Sequence, residues 1–249
     1  MNLSVIIPAY NEGPTICILV KKVQSVPMEK EIIIVDDGST DGTVEVLKTL
    51  FPNGTPGVRL VLKGQNEGKG AAIRAAAGHV KGDLVLIQDA DLEYDPSNYP
   101  QLIKPFTDPE VQVVYGSRFL HTTSCQFVRD WLSGGGKNTH AEKRYLTTYL
   151  GIRLLNFLTY LLYGLKTTDE ATCYKVFRSE LFKSLNIQST GFEFCPEVTA
   201  KLGRRRIRIV EVPISYHPRT YEQGKKLKVL KDGMRAIWTL IKYRFLGDR

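Results

Sequence analysis

The chain lacks the features that would send it outward or through a bilayer. Its 249 residues hold four cysteines, at positions 17, 125, 173 and 195, without metal-ligand spacing. Reduced thiols are therefore the expectation, and a zinc module is excluded. No stretch reaches the ~20 mainly apolar residues that a membrane-spanning helix needs. The start, Met1-Asn-Leu-Ser-Val5, runs straight into an apolar strand without a signal-peptide pattern, so a cytoplasmic location is expected. Repeats and low-complexity tracts do not stand out. Two familiar phosphate loops are missing as well. Gly64-Gln-Asn-Glu-Gly-Lys-Gly70 has only three residues between its first two glycines and no Ser or Thr after Lys69, so it is not a P-loop. No Gly-x-Gly-x-x-Gly follows the first strand.

What is present is a series of strand–helix units. The composition is 43% hydrophobic, enough for the core of one large domain or two fused ones. Leu3–Pro8, Glu31–Val35, Val58–Leu62 and Leu84–Ile87 are short apolar runs that read as strands. Pro14 suits the first turn of a helix, where no N–H is needed. Thr40 is a candidate N-cap for a helix from about Gly42 to Leu50, and an Ala-rich helix follows Gly68-Lys-Gly70. Continuous apolar strands alternating with helices predict an α/β fold, a mainly parallel Rossmann-like sheet covered on both faces. Ligands of such sheets sit at the carboxyl ends of the strands, where Tyr10, Glu12, Asp37, Asp89 and Asp91 all fall.

Residues 82–96, Gly-Asp-Leu-Val-Leu-Ile-Gln-Asp-Ala-Asp-Leu-Glu-Tyr-Asp-Pro, are the most informative segment. As the strand breaks into a turn, Asp89, Asp91 and Glu93 alternate and can share one face. Carboxylate oxygens gathered this way suit Mg²⁺ or Mn²⁺, and Mg²⁺ usually takes only one or two carboxylates from protein, the rest coming from phosphate and water. An acidic surface turn would look the same in isolation. With no phosphate loop elsewhere, a metal flanked by basic residues is the economical way to hold a phosphate.

Val5-Ile-Ile-Pro-Ala-Tyr-Asn-Glu12, Val35-Asp-Asp-Gly-Ser-Thr-Asp-Gly-Thr43, Asn66-Glu-Gly-Lys-Gly70 and Asp89-Ala-Asp91 resemble the successive motifs of family 2 inverting glycosyltransferases of GT-A fold. Val114–Arg118, Thr168–Lys175, Gly191–Phe194 and Val212–Tyr216 continue the resemblance, which runs from residue 3 to about 228. Within the family the chain looks most like dolichol-phosphate mannose synthases and bacterial polyprenyl-phosphate hexosyltransferases. The resemblance implies that Pro8, Tyr10, Glu12, Val35 and Asp37 hold the base and ribose of a nucleotide sugar, with Asp89 and Ala90 along the donor. It implies Asp91 as main metal ligand and position 93 as a second. That position, often Gln or Ser in the family, is Glu here. Arg118 would contact donor and acceptor phosphates, and Arg219 and Lys225 would close over the diphosphate. Arg129, Lys143 and Arg144 are further candidates for the acceptor phosphate. The implied reaction moves a hexose, with inversion, from a GDP-mannose or UDP-glucose type donor to a polyprenyl or dolichyl phosphate.

Charge is placed unevenly. Residues 201–249 hold 14 Lys/Arg against 4 Asp/Glu, whereas residues 1–200 hold 20 against 22. With no nucleic-acid-binding module, a membrane surface is the expected partner of the basic end. A helix over 145–165 places Leu150, Leu154, Phe157, Leu158, Leu161, Leu162 and Leu165 on one side, and Thr148, Arg153, Asn156, Thr159 and Tyr160 on the other. A basic amphipathic helix over 229–249, beyond a catalytic domain of 1–228, carries Met234, Ile237, Trp238, Leu240, Ile241 and Phe245 among Lys231, Arg235, Lys242 and Arg244. The expectation is a peripheral enzyme on the cytoplasmic face, with room for a separate membrane-anchoring subunit. Two alternatives stay open. A hydroxyl acceptor would need a base, for which Asp169, Glu170 and Glu193 are available; a catalytically silent sugar-nucleotide-binding or scaffold subunit would need none.

Overall fold

A computed structural model describes residues 1–52, 55–120, 140–219, 226 and 229–247; the side chains of residues 140–146 and of Val229 lie outside this description. Strand β1 (Leu3–Ala9) shows why the apolar runs fold as they do. Alternate residues point to opposite sides of a strand. Val5 and Ile7 accordingly pack into one core beneath α1 (Gly13–Ser25), while Ile6 packs into a second core beneath α3 (Lys69–Ala77). β2 (Lys30–Asp36) divides likewise, Ile32 and Ile34 against Ile33 and Val35. Each such side chain contributes roughly 1.5–3 kcal/mol on burial, so the sheet is fixed by its two interiors rather than by its rim.

The sheet has seven strands in the order β3-β2-β1-β4-β6-β5-β7. β3 (Val58–Leu62), β2, β1 and β4 (Leu84–Ile87) run parallel. β6 (Lys175–Arg178) inserts antiparallel between β4 and β5 (Val113–Ser117), and β7 (Val210–Pro213) pairs parallel to β5. The expected mainly parallel α/β sheet with both faces covered is what forms. One local expectation fails. Helix α2 (Thr43–Leu50) has Gly42, not Thr40, at its N-cap, and the Asp41 carboxylate accepts from the Thr43 N–H at 3.1 Å. Thr40 donates its N–H to Asn11 Oδ1, tying the loop after β2 to the loop after β1.

After the short α4 (Tyr99–Ile103), helix α5 (His140–Tyr163) crosses beside α7 (Phe194–Arg204), which follows the short α6 (Ser179–Ser184). Helix α8 (Val229–Phe245) closes the group. Leu155 of α5, Ala200 of α7, and Ala236, Leu240 and Tyr243 of α8 form a third core. The sides of α5 are not arranged as its leucines suggest. Tyr149, Ile152, Leu155, Asn156 and Thr159 face inward, while Leu150, Leu154, Phe157 and Leu161 are 48–65% exposed. Asn156 can be buried because both ends of its amide are engaged: it donates to the Thr168 carbonyl at 2.7 Å and accepts from the Glu170 N–H at 2.9 Å. On α8, Met234, Trp238 and Phe245 are 60–72% exposed, while Leu240 packs inward.

Candidate active site

The carboxyl ends of β1, β2, β4 and β5 open on one cavity of about 800 Å³. Pro8, Tyr10 and Glu12 come to it from the end of β1, Asp37 from β2, Asp89, Ala90, Asp91 and Glu93 from β4, and Arg118 from β5. Arg219 reaches it from the segment after β7. Val35 does not: it is fully buried in the second core, away from the cavity wall. Arg129 and Lys225 lie outside the described residues, as do the side chains of Lys143 and Arg144.

Asp37 organises one wall. It is 3% exposed and accepts from Lys63 Nζ at 2.5 Å and from the Gly68 N–H at 2.6 Å, which fastens the Asn66–Gly70 turn to the end of β2. Gly68 is required there: its φ is +101°, and a Cβ would meet the Thr190 carbonyl oxygen at 2.5 Å. The turn delivers Lys69, whose ammonium pairs with Asp89 and also donates to Cys173 Sγ at 2.8 Å. Lys69 is a site residue the sequence reading did not assign, although its motif was noticed.

The Asp89-Ala-Asp91 turn is strained. Leu92 has φ +64°, a left-handed conformation that a branched side chain rarely adopts, and it lets Asp91 Oδ1 accept the Glu93 N–H at 3.1 Å. The turn also separates the carboxylates. Glu93 is directed toward the segment after β7, accepting from Tyr216 Oη at 2.7 Å and from the Arg219 N–H at 2.8 Å. Among the described residues no three carboxylate, histidine or cysteine side chains gather with metal-ligand geometry. Asp91 is nevertheless only partly compensated, by Arg219. Burial, then the neighbouring Asp89 and Glu93 charges, push its carboxyl up to about 7, with Arg219 opposing. An oxygen donor short of positive charge, facing a cavity, fits a hard divalent cation that takes one or two protein carboxylates. Glu93 would have to release a hydrogen bond to join it.

Two cations span the cavity. Arg219 places Nη1 3.1 Å and Nη2 3.2 Å from the Glu12 carboxylate, and Nη2 also lies 3.2 Å from Asp91 Oδ2. Lys226 donates to Glu12 Oε1 at 2.7 Å and to the Tyr10 carbonyl. Lys226 is thus a further lysine at the site, while the neighbouring Lys225 lies outside the described residues.

Arg118 is not a free phosphate ligand. Its guanidinium grips Asp169 through Nε–Oδ2 and Nη2–Oδ1 bonds of 2.7 Å each, and its own N–H donates to the same carboxylate at 3.0 Å. Burial works against its charge, but Asp169 more than restores it and the group is held well above its ordinary value. The guanidinium also stacks 4.9 Å over the Tyr216 ring. Asp169, fully committed to Arg118, is unsuited to act as a base. Glu193 accepts from the Gly191 N–H at 3.1 Å and holds its own loop. Glu170 differs from both. It lines the cavity, is fully buried, and neither carboxylate oxygen has a hydrogen-bond partner among the described residues. Burial pushes its carboxyl up to about 7, with the Lys175 charge and the nearby Thr199 hydroxyl, which is outside hydrogen-bond geometry, opposing.

A mainly parallel α/β sheet with acidic turns and basic side chains at its carboxyl edge is a ligand-binding α/β fold. Residues 4–185 match the glycosyl transferase family 2 pattern, and the chain belongs to that family. It is 28% identical over 239 residues to the low-salt glycan biosynthesis hexosyltransferase Agl6 of Haloferax volcanii, covering 95% of this chain and 52% of that protein. It is 29% identical over 259 residues to the dolichyl-phosphate beta-glucosyltransferase of Saccharomyces cerevisiae, covering 96% of this chain and 73% of that one. The chain thus spans between about half and three quarters of the length of these relatives. Glucosyl-3-phosphoglycerate synthase from Mycobacterium tuberculosis, solved with Mn²⁺, UDP and phosphoglyceric acid, superposes with a TM-score of 0.68 at 21% identity, covering 98% of this chain and 78% of that one. The fold is therefore GT-A, as the motifs imply.

Proposed function

We propose that the chain transfers a hexose from a nucleoside-diphosphate sugar to the phosphate of a polyprenyl or dolichyl lipid, working at a membrane surface. The observation that carries this reading is the continuity of the cavity. It begins among Pro8, Tyr10, Glu12 and Asp89 and ends between α5 and α8, at Leu154, Leu155, Leu230, Met234 and Ile237. At that end both helices expose apolar side chains, among them Leu150, Phe157, Leu161, Trp238 and Phe245. A polar head site joined to an apolar slot suits an amphiphile with a phosphate at one end. No helix among the described residues is long and apolar enough to cross a membrane.

The chemistry follows from the acceptor. A lipid monophosphate is already an anion near neutral pH and needs no strong base. The chain's task is to hold two phosphates together, aim one at the anomeric carbon, and stabilise the departing diphosphate. Tyr10 and Glu12 would hold the base and ribose, with Asp37 keeping the wall in place and Asp89 and Ala90 along the sugar. Arg219 and Lys226, now paired with Glu12 and Asp91, would turn onto the diphosphate as it enters. Arg118, kept charged by Asp169, would offset phosphate repulsion. Mg²⁺ or Mn²⁺ held by Asp91, with Glu93 as second ligand, would stabilise the leaving group as a Lewis acid. Attack opposite the leaving group inverts the anomeric centre.

The test is a panel of nucleotide sugars, GDP-mannose and UDP-glucose first, with a short polyprenyl phosphate and with or without divalent metal. Transfer to the lipid phosphate is expected; binding of nucleotide sugars without any transfer would favour a silent subunit. A second reading, transfer to a hydroxyl acceptor, draws on Glu170, whose unpartnered carboxyl would serve as the base. Product on a soluble alcohol, lost in Glu170→Gln while donor binding persists, would select it.

A further inference from the structure

Two thiols on the cavity wall have no part in the chemistry above. Cys173, partly exposed, lies just before β6, and Cys195, 8% exposed, lies in the first turn of α7. The segment before β6 brings them together: Cys195 Sγ is 3.6 Å from the carbonyl oxygen of Thr172, the residue preceding Cys173. Both side chains border the cavity beside Lys69 and Asp89. Lys69 Nζ binds Asp89 and Cys173 Sγ together, so one ammonium links a donor-site carboxylate to a sulfur.

We propose that Cys173 and Cys195 form a redox-active dithiol on the wall of the donor cavity, oxidised by a hydroperoxide to a disulfide that disables donor binding. The two sulfurs are unequal, as the reaction requires. The adjoining Cys173 thiol, together with the positive charges of Lys175 and Lys69, draws the Cys195 thiol down to about 6. The same closeness to Cys195, with burial, pushes the Cys173 thiol up. A thiolate beside lysines is the nucleophile of such pairs, and the neighbouring thiol resolves the product. Cys195 sulfur attacks one peroxide oxygen, the O–O bond breaks, and Cys195 sulfenic acid forms with release of water. Cys173 sulfur then displaces the sulfenic hydroxyl, its thiol proton leaving with it as a second water. Two thiols have lost two electrons and one peroxide has gained them.

The consequence for the site follows from Lys69. A disulfide draws Cys173 Sγ toward Cys195 and removes it as an acceptor for the ammonium, so the Lys69–Asp89 pair must rearrange where the donor sits. This step rests on reading the cavity as a donor site; the disulfide itself does not.

The experiment treats full-length reduced protein with hydrogen peroxide, blocks remaining thiols with N-ethylmaleimide, and maps peptides by mass spectrometry. A crosslinked peptide joining Cys173 to Cys195, lighter by two hydrogens, is expected. The KM for the nucleotide sugar should rise at least about tenfold, about 1.4 kcal/mol of lost binding, and recover with dithiothreitol. Cys195→Ala and Cys195→Ser should keep basal transfer and resist peroxide. Sulfenic or sulfonic products without the crosslink overturn the proposal, as does a crosslink that leaves KM and turnover unchanged. Inactivation that persists in both Cys195 variants also overturns it, since Cys17 or Cys125 would then be responsible. If the crosslink forms in a protein that binds no nucleotide sugar even when reduced, the donor reading fails and the dithiol chemistry stands.

Discussion

Replacing Glu170 by Gln should change how stability depends on pH. In the folded chain the carboxyl is fully buried, its oxygens unpartnered, and burial lifts it from 4.5 to about 7. The folded state therefore binds a proton between those values that the unfolded chain has released. The contribution to stability is fully present below about pH 4.5 and is lost as pH rises through about 7. Two to three units at 1.36 kcal/mol each give about 3 kcal/mol. For a chain of this size that is a melting shift of about 6–12 °C. Gln keeps the shape but cannot ionise, so whatever an unpaired amide costs applies at every pH. Thermal scans of both proteins from pH 4.5 to 8.5 form the assay. The wild type should fall relative to Glu170→Gln across the window, and Asp91, present in both, cancels from the difference. Parallel curves would mean that Glu170 finds a partner or water in solution, and would remove the basis for assigning it a proton-carrying role.

Asp91→Asn should abolish metal-dependent transfer yet raise the melting temperature at pH 8 in chelated buffer, because it deletes a carboxyl that burial and like charge have lifted to about 7; normal transfer by this variant would end the metal assignment. Arg118→Ala should cost roughly 3–5 kcal/mol of stability by stranding the fully buried Asp169 carboxylate, whereas Arg118→Lys should fold better and lose turnover by at least about tenfold. Equal melting temperatures for wild type and Arg118→Ala would refute the buried fork. On α8, Met234→Ser with Trp238→Ser should weaken salt-sensitive co-sedimentation with anionic vesicles while leaving transfer to a short polyprenyl phosphate within about threefold, less than 1 kcal/mol. Wild-type protein that stays in the supernatant at low salt would sink the membrane reading.

The parallel strands were legible because their apolar runs are continuous: Val58–Leu62 and Leu84–Ile87 were bounded to the residue. The acidic turns and their convergence followed from the position of each strand's end. Less legible was whatever depended on a partner distant in sequence. Nothing near Arg118 announces that it is gripped by a residue 51 positions on, so it read as a phosphate contact alone. Removing residues 233–249 would likewise not be a neutral truncation, because Leu240 and Tyr243 fill the core shared with α7. Periodicity separated the leucines at 150, 154 and 161 from Asn156 and Thr159 but could not say which side of α5 the domain takes: Asn156 and Thr159 are buried and those leucines are outside. The helix has two apolar claims on it, one from the domain and one from outside.

The outward apolar face formed by α5 and α8 also has a history within each molecule. Its two halves are encoded far apart: α5 ends at Tyr163 and α8 begins at Val229. A ribosome needs several seconds to make the intervening residues. During that interval Leu155 lacks the α8 side of its core, so α5 is apolar toward both the domain and the solvent. The nascent chain is then at its stickiest, with most of the sheet made and the surface slot half built. On the membrane reading, the surface that would meet a bilayer is complete once Leu240 and Tyr243 dock. Expression at reduced temperature, or with a chaperone that shields apolar helices, should therefore raise the soluble yield more than any change at the catalytic rim.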